Sequence, residues 1–279
     1  MSTRPEIRQL DLADVSVRLA TLGAGSPVLM LHGNPDTGEL WHEVAHRISD
    51  RYRCLMPDLP GFGGSRVTGR FDCSLESMVR WVDELVVASG VELPLSLVVH
   101  DFGGPYGISW AIRNPEKVRR IAILDSLYFE DYRWHPWARV WRTPGVGELS
   151  MWLMNRWIFT WELRRGGPRL PAQHIRETYR RLTPEMKRMV LQLYRATDPE
   201  NFAGWERDML ALTSRVPTLV MWGAKDPYIR VRYAERWGTE RVTVLPDCGH
   251  WLPVEAPDAV ASKLLSFFES TTSQPNEGP

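Results

Sequence analysis

Val98-Val99-His100-Asp101-Phe102-Gly103-Gly104 is the stretch on which the reading of this chain turns. An apolar run, Leu95 to Val99, ends at a tight turn bearing one acidic side chain. Two glycines follow and open a helical pattern that runs from Pro105 to Arg113. Small residues there let helix and strand approach closely, and the turn projects Asp101 beyond the carboxyl edge of a sheet. This is the geometry of a nucleophile elbow, with Asp where Ser is usual. The helix N-terminus adds backbone N–H groups and a positive dipole end. No Gly-x-Ser-x-Gly occurs in the chain. The competing reading makes Asp101 a plain N-cap before Phe102.

Outward from the elbow, short apolar runs alternate with helical patterns. Val15 to Leu22, Pro27 to Leu31, Arg53 to Met56, Arg120 to Leu124, Thr218 to Trp222 and Val242 to Leu245 read as further strands. Continuous Val, Ile and Leu runs indicate strands buried on both faces of a parallel sheet. Helical patterns fall at Leu75 to Ala88 and Pro257 to Phe268. The expected fold is therefore α/β, a mostly parallel sheet flanked by helices. Residues 127–212 hold no strand pattern and predict an inserted all-helical cap, leaving 1–126 and 213–279 as the core. Trp134, Trp137 and Trp141 share a helical spacing there, as do Trp157 and Trp161, and Thr183-Pro184 reads as an N-cap with Pro at the first helical position. The tail from Ser270 has the composition of a disordered segment.

Composition narrows the function classes. Lys+Arg and Asp+Glu are both 34, so no basic surplus points to nucleic acid. Cys54, Cys73 and Cys248 lack metal-ligand or disulfide spacing, so no metal or cofactor is expected and a reducing, cytoplasmic compartment fits. No secretory signal is visible, and no apolar run reaches the about 18 residues of a membrane span, so no membrane partner is expected. Seven of the 13 tryptophans lie between Trp134 and Trp205, which suggests an aromatic-lined cavity for a small apolar substrate. Oligomeric state is not legible.

Three more loops follow strands. Leu31-His32-Gly33-Asn34-Pro35 can aim the N–H of Asn34 at Asp101 and, with the N–H of Phe102, form a two-donor hole for negative charge. Asp247-Cys248-Gly249-His250-Trp251 offers His250 as a base toward water. Trp222-Gly223-Ala224-Lys225-Asp226 offers Asp226 to orient that histidine, in the order nucleophile, acid, histidine. Four loops then converge at the carboxyl edge of one sheet.

With these motifs the chain resembles the α/β-hydrolase superfamily across about residues 14 to 268. His32-Gly33-Asn34-Pro35, Pro57-Asp58-Leu59-Pro60-Gly61-Phe62-Gly63-Gly64-Ser65 and His100-Asp101-Phe102-Gly103-Gly104 resemble its haloalkane dehalogenase and epoxide hydrolase branch. The resemblance implies Asp101 as nucleophile, His250 as base, Asp226 as its partner and a helical cap at 127–212. Some dehalogenases of the branch draw the acid from the position of Asp125, which stays open as an alternative. A carboxylate is already ionised and displaces leaving groups from saturated carbon, forming an ester that water then cleaves. An epoxide needs an acid for its oxygen, and Tyr194, Tyr179 and Tyr132 are candidates, Tyr194 foremost. A halide needs N–H donors; Asn34 offers one, but Phe102 stands where dehalogenases carry Trp. Fluoroacetate dehalogenases resemble the chain at Tyr194-Arg195-Ala196 but carry Arg after the nucleophile. Epoxide hydrolysis is the leading expectation and haloalkane dehalogenation the alternative. An esterase-like enzyme or a non-catalytic ligand receptor on the same fold is the further alternative. Trp134, Trp137, Trp157, Trp161 and Trp251 are the expected pocket residues.

Overall fold

A computed structural model describes residues 4–270 and contains one nine-stranded sheet. Its strands are β1 Glu6–Asp11, β2 Val15–Leu22, β3 Ser26–Leu31, β4 Tyr52–Pro57, β5 Arg66–Val67, β6 Leu95–Asp101, β7 Val118–Ser126, β8 Thr218–Gly223 and β9 Val242–Leu245. The order across the sheet is β1-β2-β4-β3-β6-β7-β8-β9, with β5 on β2. From β4 to β9 every neighbouring pair is parallel, and β1, β2 and β5 form an antiparallel margin. All seven expected strands are present. The sequence pattern missed β1, a solvent-facing edge strand whose residues are mostly exposed, and the two-residue β5.

The apolar runs have a simple cause. Side chains alternate across a strand, and here both faces are covered. Leu29, Leu31, Val99 and Val220 pack toward α2 (Leu75–Ser89), α3 (Gly103–Arg113) and a later helix. Val28, Met30, Val98 and Met221 pack on the opposite face. That face is covered by α1 (His42–Ile48), also unread in the sequence, and the C-terminal helix Pro257–Glu269. Gly103 is needed where α3 leaves β6, because a methyl there would overlap the backbone carbonyl of Leu31.

Between β7 and β8 lie α4 Pro136–Arg142, α5 Val146–Leu153, α6 Arg156–Gly166, α7 Ala172–Arg181, α8 Pro184–Ala196 and α9 Trp205–Thr213. Thr183 caps α8 by accepting the N–H of Met186, and Asn155 caps α6. Helices α4, α5 and α8 pack together, whereas α9 packs on α3 beside the sheet. Trp134 precedes α4 rather than sharing its face with Trp137 and Trp141. No helix among the described residues is long and apolar enough to cross a membrane. The expected disordered tail, beyond Ser270, lies outside the described residues.

Candidate active site

Asp101 is the last residue of β6, and its φ of +49° puts it in the left-handed region that a side chain adopts only when its surroundings enforce it. Phe102, with no side-chain cap bond, occupies the N-cap of α3. The plain N-cap reading of Asp101 therefore does not hold. Asp101 Oδ1 accepts the N–H of Asn34 at 2.7 Å, while Oδ2 lies 3.5 Å from Nε2 of His250. Gly33 leaves room for this approach, since a methyl there would overlap the Asp101 carboxylate. Burial opposes the charge on Asp101, yet His250 and the Phe102 N–H hold its pKa below the ordinary carboxylate value.

His250 Nδ1 lies 2.8 Å from Oδ2 of Asp226. Asp226 Oδ1 is fixed by the N–H groups of Tyr228 and Ile229 at 2.7 and 3.0 Å. Asp226 can only accept, so Nδ1 carries a proton and Nε2 faces Asp101. Burial would lower the His250 pKa, but Asp226 and Asp101 raise it well above the usual imidazole value. Asp125 is placed differently. It accepts the Gly223 N–H at 2.8 Å, its Oδ2 has no partner, and burial with the charge of Asp226 raises its pKa well above the carboxylate range. Asp125 therefore bonds to the β8 backbone, while the Nδ1 of His250 is taken by Asp226.

Two histidines steady the loops. His100, buried and with its pKa pushed down to about 4, donates Nε2–H to the backbone carbonyl of His250 at 2.7 Å. His32 accepts the N–H of Leu59 at Nε2, and its Nδ1–H meets the carbonyl of Gly33 at 2.9 Å. The helical insert joins in: the His250 N–H donates to the carbonyl of Gly166, at the end of α6, at 2.8 Å.

Over Asp101 and His250 is a cavity of about 60 Å³, room for a few waters or a small organic molecule. Asn34, Tyr194, Trp134, Trp137 and Trp251 line it as expected. Trp157 and Trp161 do not. They are 76% and 61% exposed: the i, i+4 spacing puts them on one side of α6, and the helix packs with Phe159, Glu162 and Leu163 toward the cavity, which leaves that side outward. Phe102 is buried with its ring against Trp134 and Tyr194. Among the candidate tyrosines, Tyr179 lies away from the lining, and Tyr132 gives its hydroxyl hydrogen to the carbonyl of Tyr228.

Tyr194 is different. Asn34 Nδ2 and His135 Nε2 each lie 3.4 Å from its oxygen. His135, which the sequence reading missed, lines the cavity and is kept neutral by burial, its pKa pushed down to about 4. Its Nδ1 accepts the N–H of Ala138 as the N-cap of α4, which leaves the hydrogen on Nε2, facing Tyr194. The available signal was His135-Pro136 at a helix start. Trp134 Nε1 is buried without a partner.

The profile of the alpha/beta hydrolase family matches residues 28–263, and the chain belongs to that family. Haloalkane dehalogenase 2 of Mycobacterium tuberculosis is 26% identical over 94% of this chain and 95% of its own length. A cis-3-alkyl-4-alkyloxetan-2-one decarboxylase of Xanthomonas campestris is 28% identical, covering 88% and 89%. Among solved structures, a Pseudomonas aeruginosa protein provisionally described as an epoxide hydrolase superposes with a TM-score of 0.80 at 23% identity, over 95% of each chain. That likeness is one of fold.

Proposed function

We propose that this chain hydrolyses substrates at saturated carbon through an ester on Asp101, and that its leaving group is an epoxide oxygen. Asp101 Oδ2 attacks the ring carbon as the carbon–oxygen bond breaks. Tyr194 passes its hydroxyl proton to the departing alkoxide. Water, losing a proton to His250 Nε2, then attacks Cγ of Asp101, and the charge on Oδ1 is met by the N–H groups of Asn34 and Phe102. Collapse frees a diol and the carboxylate, and the proton on His250 returns to the tyrosine through solvent. Ester formation removes the Asp101 charge that helps hold His250 protonated, so His250 gives up its resting Nε2 proton to solvent, is free as the base when water must be activated, and is reprotonated from solvent once the Asp101 carboxylate is restored. The helical insert serves as the cap of this site.

The observation that carries the oxygen leaving group is the Tyr194 hydroxyl. Its oxygen faces the donors Nδ2 of Asn34 and Nε2–H of His135, so its own hydrogen is left for substrate. A second reading, halide displacement, is favoured by Trp134: the indole absent after the nucleophile recurs in space against Phe102, with a buried, unpartnered N–H. The haloalkane dehalogenase relatives support it too.

The test is a panel of small apolar epoxides, 1-haloalkanes and p-nitrophenyl esters, with intact-mass measurement of His250→Gln. The expected result is diol formation by the wild type and an added substrate mass on the variant. Alcohol plus halide would select the second reading. Ester turnover without an adduct, or tight ligand binding without turnover, would remove Asp101 as nucleophile.

A further inference from the structure

Helices α5 and α6 are apolar on both sides. Their inner side lines the cavity with Met151, Phe159 and Leu163. Their outer side bears Val146, Leu149, Trp152, Leu153, Trp157 and Trp161, all exposed. These are six of the twelve exposed large apolar side chains among the described residues, gathered on two consecutive helices. A helix roofing a cavity meets water on its far side and is ordinarily polar there. The three indoles alone present roughly 400 Å². The aliphatic neighbours add to the apolar area that these two helices expose, and exposed apolar surface of this size marks interaction sites.

The charges beside the patch that lack an acidic or basic partner are of one sign. Arg164 and Arg165 follow Trp157 and Trp161 on the same side of α6. The Arg156 guanidinium lies 5.2 Å from the Trp157 ring centroid, and that of Arg165 lies 5.9 Å from Trp161. The stretch holds two acids, and both are engaged: Glu148 with Arg195, and buried Glu162 with Arg165. Among the described residues no carboxylate pairs with Arg156 or Arg164.

We propose that the outer face of α5 and α6 docks on the surface of an anionic phospholipid bilayer. Indoles settle at headgroup depth, aliphatic side chains enter the acyl boundary, and arginines meet lipid phosphates and anionic headgroups. A second copy of the chain is the poorer occupant, since a twofold contact would set the arginine rim against itself. The cavity lies on the other side of the same helices. The docking goes beyond the proposed chemistry and does not depend on it, although it departs from the absence of a membrane partner expected from the sequence.

The experiment is co-sedimentation of the full chain with phosphatidylcholine vesicles, with and without phosphatidylglycerol, on variants whose thermal melts match the wild type. The wild type is expected to pellet with the anionic vesicles and to be released by high salt. Leu149→Ser/Trp152→Ser should weaken this at least about tenfold. Arg156→Glu/Arg164→Glu should erase the preference for anionic vesicles, again by about tenfold. A wild type that stays in the supernatant with both vesicle types would overturn the proposal. So would equal binding to both that the arginine variant leaves unchanged. Light scattering that shows a dimer abolished by Leu149→Ser/Trp152→Ser, without vesicle binding, would give the face to a second copy.

Discussion

Three aspartates at strand ends differ only in what surrounds them. Asp101 is held charged by an imidazole and an amide, and Asp226 is fixed by two backbone N–H groups and bonded to His250. Asp125 has its pKa raised by burial and by the charge of Asp226, and it bonds to the Gly223 N–H rather than to His250. Asp226→Asn should therefore lower kcat by about 10⁴-fold, because the amide presents the wrong hydrogen to His250. Asp125→Asn should cost about tenfold or less, since the amide oxygen still accepts the Gly223 N–H. Steady-state kinetics of the pair decide this, and the reverse ranking would move the acid to Asp125. Tyr194→Phe should slow the appearance of the covalent ester by about 10²-fold. In rapid-quench mass measurements an unchanged rate would remove it as the acid. Asp101, His250, Asp226 and Asn34 were legible because each follows a strand and the parallel sheet brings strand ends together. His135 was not, because its role depends on a tautomer set by the Ala138 N–H, a contact that exists only once α4 has formed.

At the scale of elements, buried strands betray themselves: with both faces covered, β6 and β8 are buried throughout, and β3 and β7 are buried at every position except Ser26 and Arg119 near their starts. β1 has no such signature, because a margin strand needs only the pairing of its backbone with β2. Helices are subtler. The spacing of Trp157 and Trp161 reveals that they share a side, while which side faces the cavity is decided by packing. One contact between elements carries its own prediction. Asp36, beyond the Asn34 turn, accepts the Trp251 indole N–H at 2.7 Å and lies 3.2 Å from His174 on α7. Glu177 and Arg181 also face His174 from its own helix. Burial would lower the His174 pKa, but Asp36 raises it above the usual 6.5. The pair's stabilisation is thus complete below pH 6.5 and fades as pH rises through the higher folded value. The difference in Tm between the wild type and His174→Gln should shrink across that window. A difference constant with pH would mean that His174 carries no charge.

For the molecule as a whole, equal numbers of acids and bases leave no net repulsion between copies near neutral pH. With the exposed indoles of α5 and α6, the chain should be least soluble near neutrality at low salt, and Leu149→Ser/Trp152→Ser should raise that minimum in a precipitant titration. Equal precipitation of both proteins would relieve the patch of that role. The small cavity has a second link to the insert. The insert is hooked to the proposed base, through the bond from the His250 N–H to the Gly166 carbonyl. If His250 activates water as proposed, a shift of the end of α6 would disturb that bond and with it the placement of the base. The cap and the proposed base are thus joined by one hydrogen bond, like a door whose latch is also the switch.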